Sequence, residues 1–268
     1  MNMKRKIKKT VKLIGLLPLF EHGNFFYQKF KNKKKNTIFL NENPFVKIPP
    51  DFYLYETFGL DYHKIYFGGE DTAEWIVEHI KEFIKPTNIK VLDWGCGTGR
   101  ILRHMPKFIK KSIFWGSDYN SKYIKWCSKN LSNINVIKNN LTPPLNFQAN
   151  FFDFIYSISI FTHLSEEKHH LWIKELNRVS KKGAILFITT HGNAYKNKLS
   201  KKETINFNQG KLIEHSYKVE GNRLFATYHP PIFFNNLCTS NNFKVLKHIE
   251  RGIINNKPTQ DIWILRKF

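Results

Sequence analysis

Between residues 90 and 190, short apolar runs alternate with segments whose apolar residues recur every three or four positions. The runs Lys90–Trp94, Ser112–Asp118, Asn135–Asn139, Phe152–Ser159 and Ala184–Thr190 predict five buried strands by their length and their β-branched and aromatic content. The segments between them predict helices over Gly99–Ile109, over Ser121–Leu131, and from a cap at Ser165 to Ser180. In the last of these, Leu171, Trp172, Leu176 and Val179 fall at helical spacing. Upstream, Asp71 with Glu74 three residues on predicts a helix start, carried on by Trp75, Ile76, His79, Ile80 and Phe83 and stopped at Pro86. Strands alternating with helices, except for the turn at Pro143-Pro144 between the third and fourth strands, imply a parallel sheet covered on both faces. The C-terminal end breaks the alternation. Phe243–Ile249 and Asp261–Leu265 are joined by a turn containing Gly and Asn with no helix between, so they should pair antiparallel.

The pattern also divides the chain. Residues 1–40 form a basic arm, 41–69 an irregular lead-in rich in Pro, Gly and aromatic residues, and 70–268 the α/β domain. Within that domain, residues 193–228 are polar and carry a hairpin signal at Glu220-Gly221-Asn222, which makes them an insertion over the strand ends. Nearly half of the formal net charge of +22 lies in the arm, in Lys4, Arg5, Lys6, Lys8, Lys9 and Lys12 and again in Lys29, Lys31, Lys33, Lys34 and Lys35. Such a field draws anionic partners, and a solvated tail accounts for it equally well. Val11–Phe20, a charged start followed by an apolar stretch, lacks a small-x-small cleavage site and reads as a surface helix able to touch anionic membrane. No run of about 18 apolar residues is present to span a membrane. Cys96, Cys127 and Cys238 are odd in number and widely spaced, which fits neither a disulfide framework nor a zinc site. No metal site is expected, and the compartment is expected to be reducing and cytoplasmic.

The chemistry is concentrated in Val91-Leu92-Asp93-Trp94-Gly95-Cys96-Gly97-Thr98-Gly99-Arg100, a Gly-rich turn between the first strand and its helix. Glycines let the backbone approach a ligand, and a helix N-terminus offers free N–H groups to it. The spacing is G-x-G-x-G rather than the G-x-G-x-x-G of dinucleotide sites. Asp93 would repel a pyrophosphate but suits a ligand with an ammonium group. Asp118, ending the second strand, only accepts hydrogen bonds when ionised, so a vicinal diol suits it.

With these residues the chain resembles the class I S-adenosylmethionine-dependent methyltransferases over roughly residues 70–268. The resemblance implies a Rossmann-like doubly wound, mostly parallel seven-stranded sheet with an antiparallel C-terminal strand, and S-adenosyl-L-methionine as cofactor. It implies that Asp93, Gly95, Cys96 and Gly97 surround the methionine end, and that Asp118 and Tyr119 lie at the ribose. Asn139, Asn140 and Leu141 fall beside the adenine, with Asn139 standing where an Asp is more usual. Phe152-Asp153-Phe154-Ile155-Tyr156-Ser157 is similar to the family's fourth motif, whose end at Ser157 faces the transferable methyl. Arg178-Val179-Ser180-Lys181-Lys182-Gly183 resembles its helix-to-strand turn before strand five.

Among side chains outside those motifs, His163 and His191 follow strands four and five at the ligand edge and are the candidates for a general base. His163 serves equally well as a cap for the following helix. His169 and His170 are expected on a solvent-facing or half-buried helix face, His229 is a weaker candidate, and Trp94 is expected to pack. No Asn/Asp-Pro-Pro-Tyr/Phe follows strand four, where Ser157-Ile158-Ser159-Ile160 stands. The expected acceptor is therefore a small molecule or glycan with anionic groups, methylated at O or N, and nucleic acid is not expected. A nicotinamide-dependent oxidoreductase, a basic nucleic-acid-binding protein and a cofactor-binding pseudo-enzyme stay open as alternatives.

Overall fold

The computed structural model describes residues 17–57, 59–216, 220–222 and 224–268. The cluster Lys4–Lys12 and most of the segment Val11–Phe20 lie outside the described residues. Two compact units divide the chain at Gly68 and Gly69.

The N-terminal unit departs from the sequence expectation. Residues of the basic arm belong to a 26-residue helix, α1 (Leu17–Glu42), and the lead-in holds α2 (Asp51–Thr57) and the first turns of α3 (Tyr62–Ile80). Their core is small: Leu54, Tyr55, Leu60 and Ile65 are buried, with Phe25, Ile48 and Tyr62 packed against them. Polar side chains do much of the joining. Asn36 Nδ2 donates to the Leu60 carbonyl at 2.8 Å while its Oδ1 accepts from Tyr62 N–H at 3.0 Å, and Asn24 Nδ2 donates to Tyr55 Oη at 2.8 Å. Hydrophobic periodicity cannot reveal a helix fastened this way, since Asn is neutral to poor in helices until it finds a partner. The outer face stays apolar in places, with Leu19, Phe26, Tyr27 and Phe30 exposed among the lysines.

The helix expected from Asp71 starts at Tyr62 and runs through Asp71. Ile65, Gly69, Ala73, Ile76 and Ile80 form one continuous stripe three or four residues apart, so Gly68-Gly69 is absorbed into the helix instead of stopping it.

In the C-terminal unit the strands are β1 (Lys90–Trp94), β2 (Ile113–Asp118), β3 (Asn135–Lys138), β4 (Phe152–Ser157), β5 (Ser180–Thr190), β6 (Ile213–Ser216), β7 (Phe225–Tyr228), β8 (Phe243–Ile249), β9 (Ile253–Ile254), β10 (Lys257–Pro258) and β11 (Asp261–Lys267). Seven of them form one sheet in the order β3-β2-β1-β4-β5-β11-β8. Strands β1 to β5 run parallel, and β11 lies antiparallel between β5 and β8. This is the expected fold class, a Rossmann-like sheet with one antiparallel strand. Two apolar layers cover its faces. One is built around Trp94, Trp172, Phe161 and Trp263, the other around Ile76, Leu102, Phe114 and Tyr156.

The helices between strands differ in detail. The segment expected as Gly99–Ile109 is a 3-10 turn, Leu102–His104, followed by α4 (Met105–Phe108), because Pro106 supplies no N–H for a continuous ladder. Helix α5 (Ser121–Asn130) is capped by Asn120, which accepts from Lys122 N–H, and not by Ser121. Helix α6 (Glu166–Val179) has Ser165 at its cap position without a side-chain cap bond.

One buried charge pair fastens α6 to the irregular stretch before β4. Glu175, 6% exposed, accepts from Leu145 N–H at 2.7 Å and from Arg178 Nε and Nη2 at 2.8 and 2.6 Å. Arg178 in turn donates to the Leu145 and Phe147 carbonyls. Glu175→Ala leaves the Leu145 N–H without its acceptor and takes the carboxylate from the part-exposed Arg178, which keeps its two carbonyl bonds, and should lower stability by about 1–2 kcal/mol. The midpoint of urea unfolding measures this, with Glu175→Gln intermediate because it keeps one acceptor. An unchanged midpoint would remove the clamp from the account.

Candidate active site

The sheet order reverses direction of travel between β1 and β4, so a crevice opens at their carboxyl ends. Register brings the relevant residues side by side: Asp93 lies beside Gly116 on one flank and Tyr156 on the other, and Trp94 beside Ser117.

The glycine turn is pinned to the end of β2. Gly95 and Cys96 N–H both donate to the Ser117 carbonyl, at 2.8 and 3.0 Å. Gly97 N–H donates to Asp118 Oδ2 at 2.9 Å, and Asn120 N–H to Oδ1 at 2.8 Å. Gly95 and Gly97 have φ of +84° and +54°. A Cβ on Gly95 would lie 2.2 Å from Ile160, whereas one on Gly97 would meet nothing within 4 Å. The first glycine is thus demanded by packing, and the second borders open space.

Asp93 and Asp118 are both buried, at 4% and 7% exposure. Burial pushes the Asp93 carboxyl up to about 7; the Tyr156 hydroxyl donating at 2.8 Å opposes this, Asp118 adds to it and Arg100 opposes it. Burial also raises Asp118, against the two backbone N–H bonds it accepts. Asn139 N–H donates to the Asp118 carbonyl at 3.1 Å, which carries β3 onto the same edge. Its Oδ1 is buried without a partner, as is the hydroxyl of Ser157, 1% exposed at the end of β4. Asn140 is exposed beside it, and the Leu141 carbonyl is taken by Trp172 Nε1 at 2.9 Å. These features fit S-adenosylmethionine: carboxylates that only accept, oxygens wanting donors, and a glycine with open space over its Cα.

Several expected side chains face elsewhere. Cys96 turns into the core, and burial and the neighbouring Cys127 raise its thiol well above the usual range, so only its backbone borders the turn. All three cysteines are free and buried. Trp94 packs on Phe161 and Trp172, as expected.

The histidines form a group that spacing alone did not reveal. His163 Nδ1 lies 2.7 Å from the Phe225 carbonyl and His191 Nδ1 3.0 Å from the Thr227 carbonyl, so both rings hold β7. A carbonyl accepts only, so each Nδ1 carries the proton and each Nε2 is the basic atom. His169, expected at the surface or half-buried, is fully buried against Phe161, with Nδ1 on the Ser165 carbonyl and Nε2 2.8 Å from Nε2 of His229. Burial lowers all four, His169 to about 4, His191 to about 3, and His163 and His229 in the same direction. All are neutral at pH 7.

The expected hairpin is present as β6 paired antiparallel with β7, and its turn is stitched across the strand ends. Gly221 N–H donates to the His163 carbonyl at 2.8 Å, and Tyr119 Oη, next to Asp118, donates to the Gly221 carbonyl at 3.0 Å. Thr227 Oγ1 donates to the Leu164 carbonyl at 2.6 Å. Glu220 accepts from Ser165 N–H and pairs with Lys168, and His229 N–H donates to the His191 carbonyl at 2.8 Å. Tyr156 on Asp93 and Tyr119 on Gly221 are partners that no spacing rule indicated.

Residues 91–183 match the family model for the methyltransferase domain. Solved structures share the fold. An S-adenosylmethionine-dependent methyltransferase from Methanosarcina mazei is 22% identical, with a TM-score of 0.53 over 71% of this chain and 97% of its own. One from Mesorhizobium loti is 12% identical, with a TM-score of 0.54 over 75% and 100%. One from Clostridium acetobutylicum is 11% identical, with a TM-score of 0.53 over 77% and 96%. No curated protein matches the chain significantly. Among the described residues no helix is long and apolar enough to cross a membrane. Over residues 91–183, which carry the Asp-x-Gly-x-Gly turn, the chain is similar to the methyltransferase domain, and it shares its fold with solved S-adenosylmethionine-dependent methyltransferases.

Proposed function

We propose that the acceptor is a small molecule or glycan bearing anionic groups, methylated at O or N in a cleft that residues 193–228 cover as a lid. The observation that carries this reading is the stitched hairpin. From Tyr119 after β2 to His163 after β4 and His191 after β5, its bonds cross the edge at which the acceptor must arrive. An edge bridged in this way suits a compact acceptor better than a duplex or a folded protein. Lys196, Lys198, Lys201, Lys202 and Lys211 outnumber Glu203, Glu214 and Glu220 in the described part of the insertion, which favours negative charge on the acceptor.

When bound, S-adenosylmethionine supplies a methyl group on a positively charged sulfur that leaves readily. The chain's residues hold and orient. Asp118 accepts from the ribose hydroxyls, with Tyr119 beside it. Asn139, Asn140 and Leu141 border the adenine. Asp93, Gly95, Cys96 and Gly97 surround the methionine end, and Ser157 faces the methyl. Alignment of acceptor and methyl is the chief contribution, and such positioning supplies roughly 7–11 kcal/mol. His163 or His191, neutral with a bare Nε2, takes the proton of a hydroxyl acceptor, and the lid excludes water.

Asp118→Ala should weaken S-adenosylhomocysteine binding about tenfold to a hundredfold, the loss of charge-assisted bonds of roughly 1.5–3 kcal/mol. Calorimetry on variant protein with an unaltered unfolding midpoint reads this, and unchanged affinity removes Asp118 from the ribose.

A pH dependence follows from Asp93. An ammonium group beside it favours the ionised carboxylate, so ligand binding expels the proton held below about pH 7. Affinity should rise from pH 5 to 7, by at most about tenfold per unit, and level off above. Titrations in buffers of differing ionisation enthalpy detect the released proton. Absence of release, or an equal slope in Asp93→Asn, would separate Asp93 from the ammonium.

The base is tested with His163→Asn, whose Nδ2 can still donate to the Phe225 carbonyl while Nε2 is gone. With an acceptor found by screening anionic phenols, sugars and amines for S-adenosylhomocysteine release, turnover should fall about 10²–10⁴-fold with cofactor affinity intact. Full turnover would reduce His163 to an anchor of β7.

A further inference from the structure

We propose that His248, Glu250 and Asp261 form a site for one divalent transition-metal ion, of which zinc is the type, where β8 and β11 reach the carboxyl edge of β5. The three side chains come from the end of β8, the residue after it and the first residue of β11, so the antiparallel pairing of these strands assembles them. One ligand atom from each lies within 4.8 Å of the others. His248 Nε2 is 3.1 Å from Asp261 Oδ2, and ligand atoms around a tetrahedral zinc with bonds of 2.0–2.1 Å stand about 3.3 Å apart. The set is one imidazole and two carboxylates, which leaves a coordination position open.

A second observation points to a cation. Asp261 is 1% exposed, yet its Oδ1 has no partner. A carboxylate oxygen buried in that state requires a donor or a positive charge. No lysine or arginine among the described residues pairs with Asp261 or Glu250, although the chain carries a net charge of +22. The neighbouring Arg251 instead lies over the Trp75 ring at 4.8 Å. The other side of the carboxylate is closed by backbone, since a Cβ on Gly192 would fall 1.8 Å from Oδ2.

The imidazole is held ready. It stacks on Trp263 with ring centres 3.8 Å apart and planes at 14°, and Trp263 Nε1 donates to Thr190 Oγ1 at 2.9 Å. Glu250, on the exposed side, accepts from Asn193 Nδ2 at 2.9 Å. An ion here therefore ties β8 and β11 to Gly192 and Asn193, the residues from which the insertion departs, and fixes how the insertion leaves the sheet. The site stands apart from the glycine turn and does not depend on what the acceptor is.

Full-length protein stripped with chelator and titrated with ZnCl2 tests the site. One equivalent should bind with micromolar or tighter affinity and raise the unfolding temperature by several degrees, with MnCl2 weaker and MgCl2 inactive. Asp261→Asn and His248→Gln should each weaken zinc at least a hundredfold, and the exposed Glu250→Gln about tenfold. Glu250→Gln and His248→Gln serve if Asp261→Asn fails to fold, and S-adenosylhomocysteine binding reports that each variant is folded. Failure of zinc to bind the wild-type chain, or undiminished binding in the His248 and Glu250 variants, would overturn the assignment.

Discussion

The Asp118 carboxylate accepts Gly97 N–H from the turn after β1 and Asn120 N–H from the cap of α5, and this pair of hydrogen bonds organises the edge of the sheet. Each oxygen keeps lone pairs for a ligand, because a carboxylate offers about four acceptor sites and the backbone takes two. The geometry of the glycine turn therefore rests on one side chain that still has acceptor sites to offer. Burial raises its pKa even so, and the two N–H donors oppose that rise, so the site keeps its charge through backbone already committed to the turn.

Asp93 is treated differently by the same neighbourhood. Burial carries its pKa up to about 7, the repelling charge of Asp118 adds to the rise, and the single hydroxyl it accepts, from Tyr156, opposes it. Two carboxylates on adjacent strands are thus separated by environment, one held as an acceptor by the backbone and the other close to neutral until a cation arrives. The G-x-G-x-G turn brings them to one edge, where burial raises both and the backbone N–H bonds oppose that rise at Asp118.

The sheet was legible because strands buried on both faces must be continuous apolar runs, and Val91-Leu92, Phe154-Ile155 and Ile185–Ile188 are such runs. The meeting of the glycine turn with Asp118 was legible because glycines and an acid at the ends of neighbouring parallel strands must share one edge of the sheet. What periodicity could not carry were partners distant in sequence. His169 meets His229 across 60 residues, Tyr119 meets Gly221 across 102, and α1 is fastened by Asn36 to Leu60 rather than by an apolar stripe. His169 looked like a surface residue because a histidine on an amphipathic helix usually is one, and only the fold supplies the second imidazole that makes its burial affordable.

Four histidines, His169 and His229 buried and His163 and His191 half-buried, tie the insertion to the edge of the sheet. Each of His163 and His191 uses Nδ1–H to hold a β7 carbonyl, which fixes the tautomer and leaves Nε2 bare. A ring anchored this way cannot swing away when the cleft changes, and a pKa lowered by burial keeps it unprotonated across the physiological range. Holding the hairpin and keeping a base neutral are then one arrangement. Its limit is strength: a base with pKa near 3 accepts a proton poorly unless the resulting imidazolium is stabilised at the moment of transfer. His191, at about 3, lies tilted against Tyr195 with 4.1 Å between ring centres, an aromatic face that can carry part of such a charge. Burial lowers His163 in the same direction, so the two rings share both the hold on β7 and the need for a compensating charge at the moment of transfer.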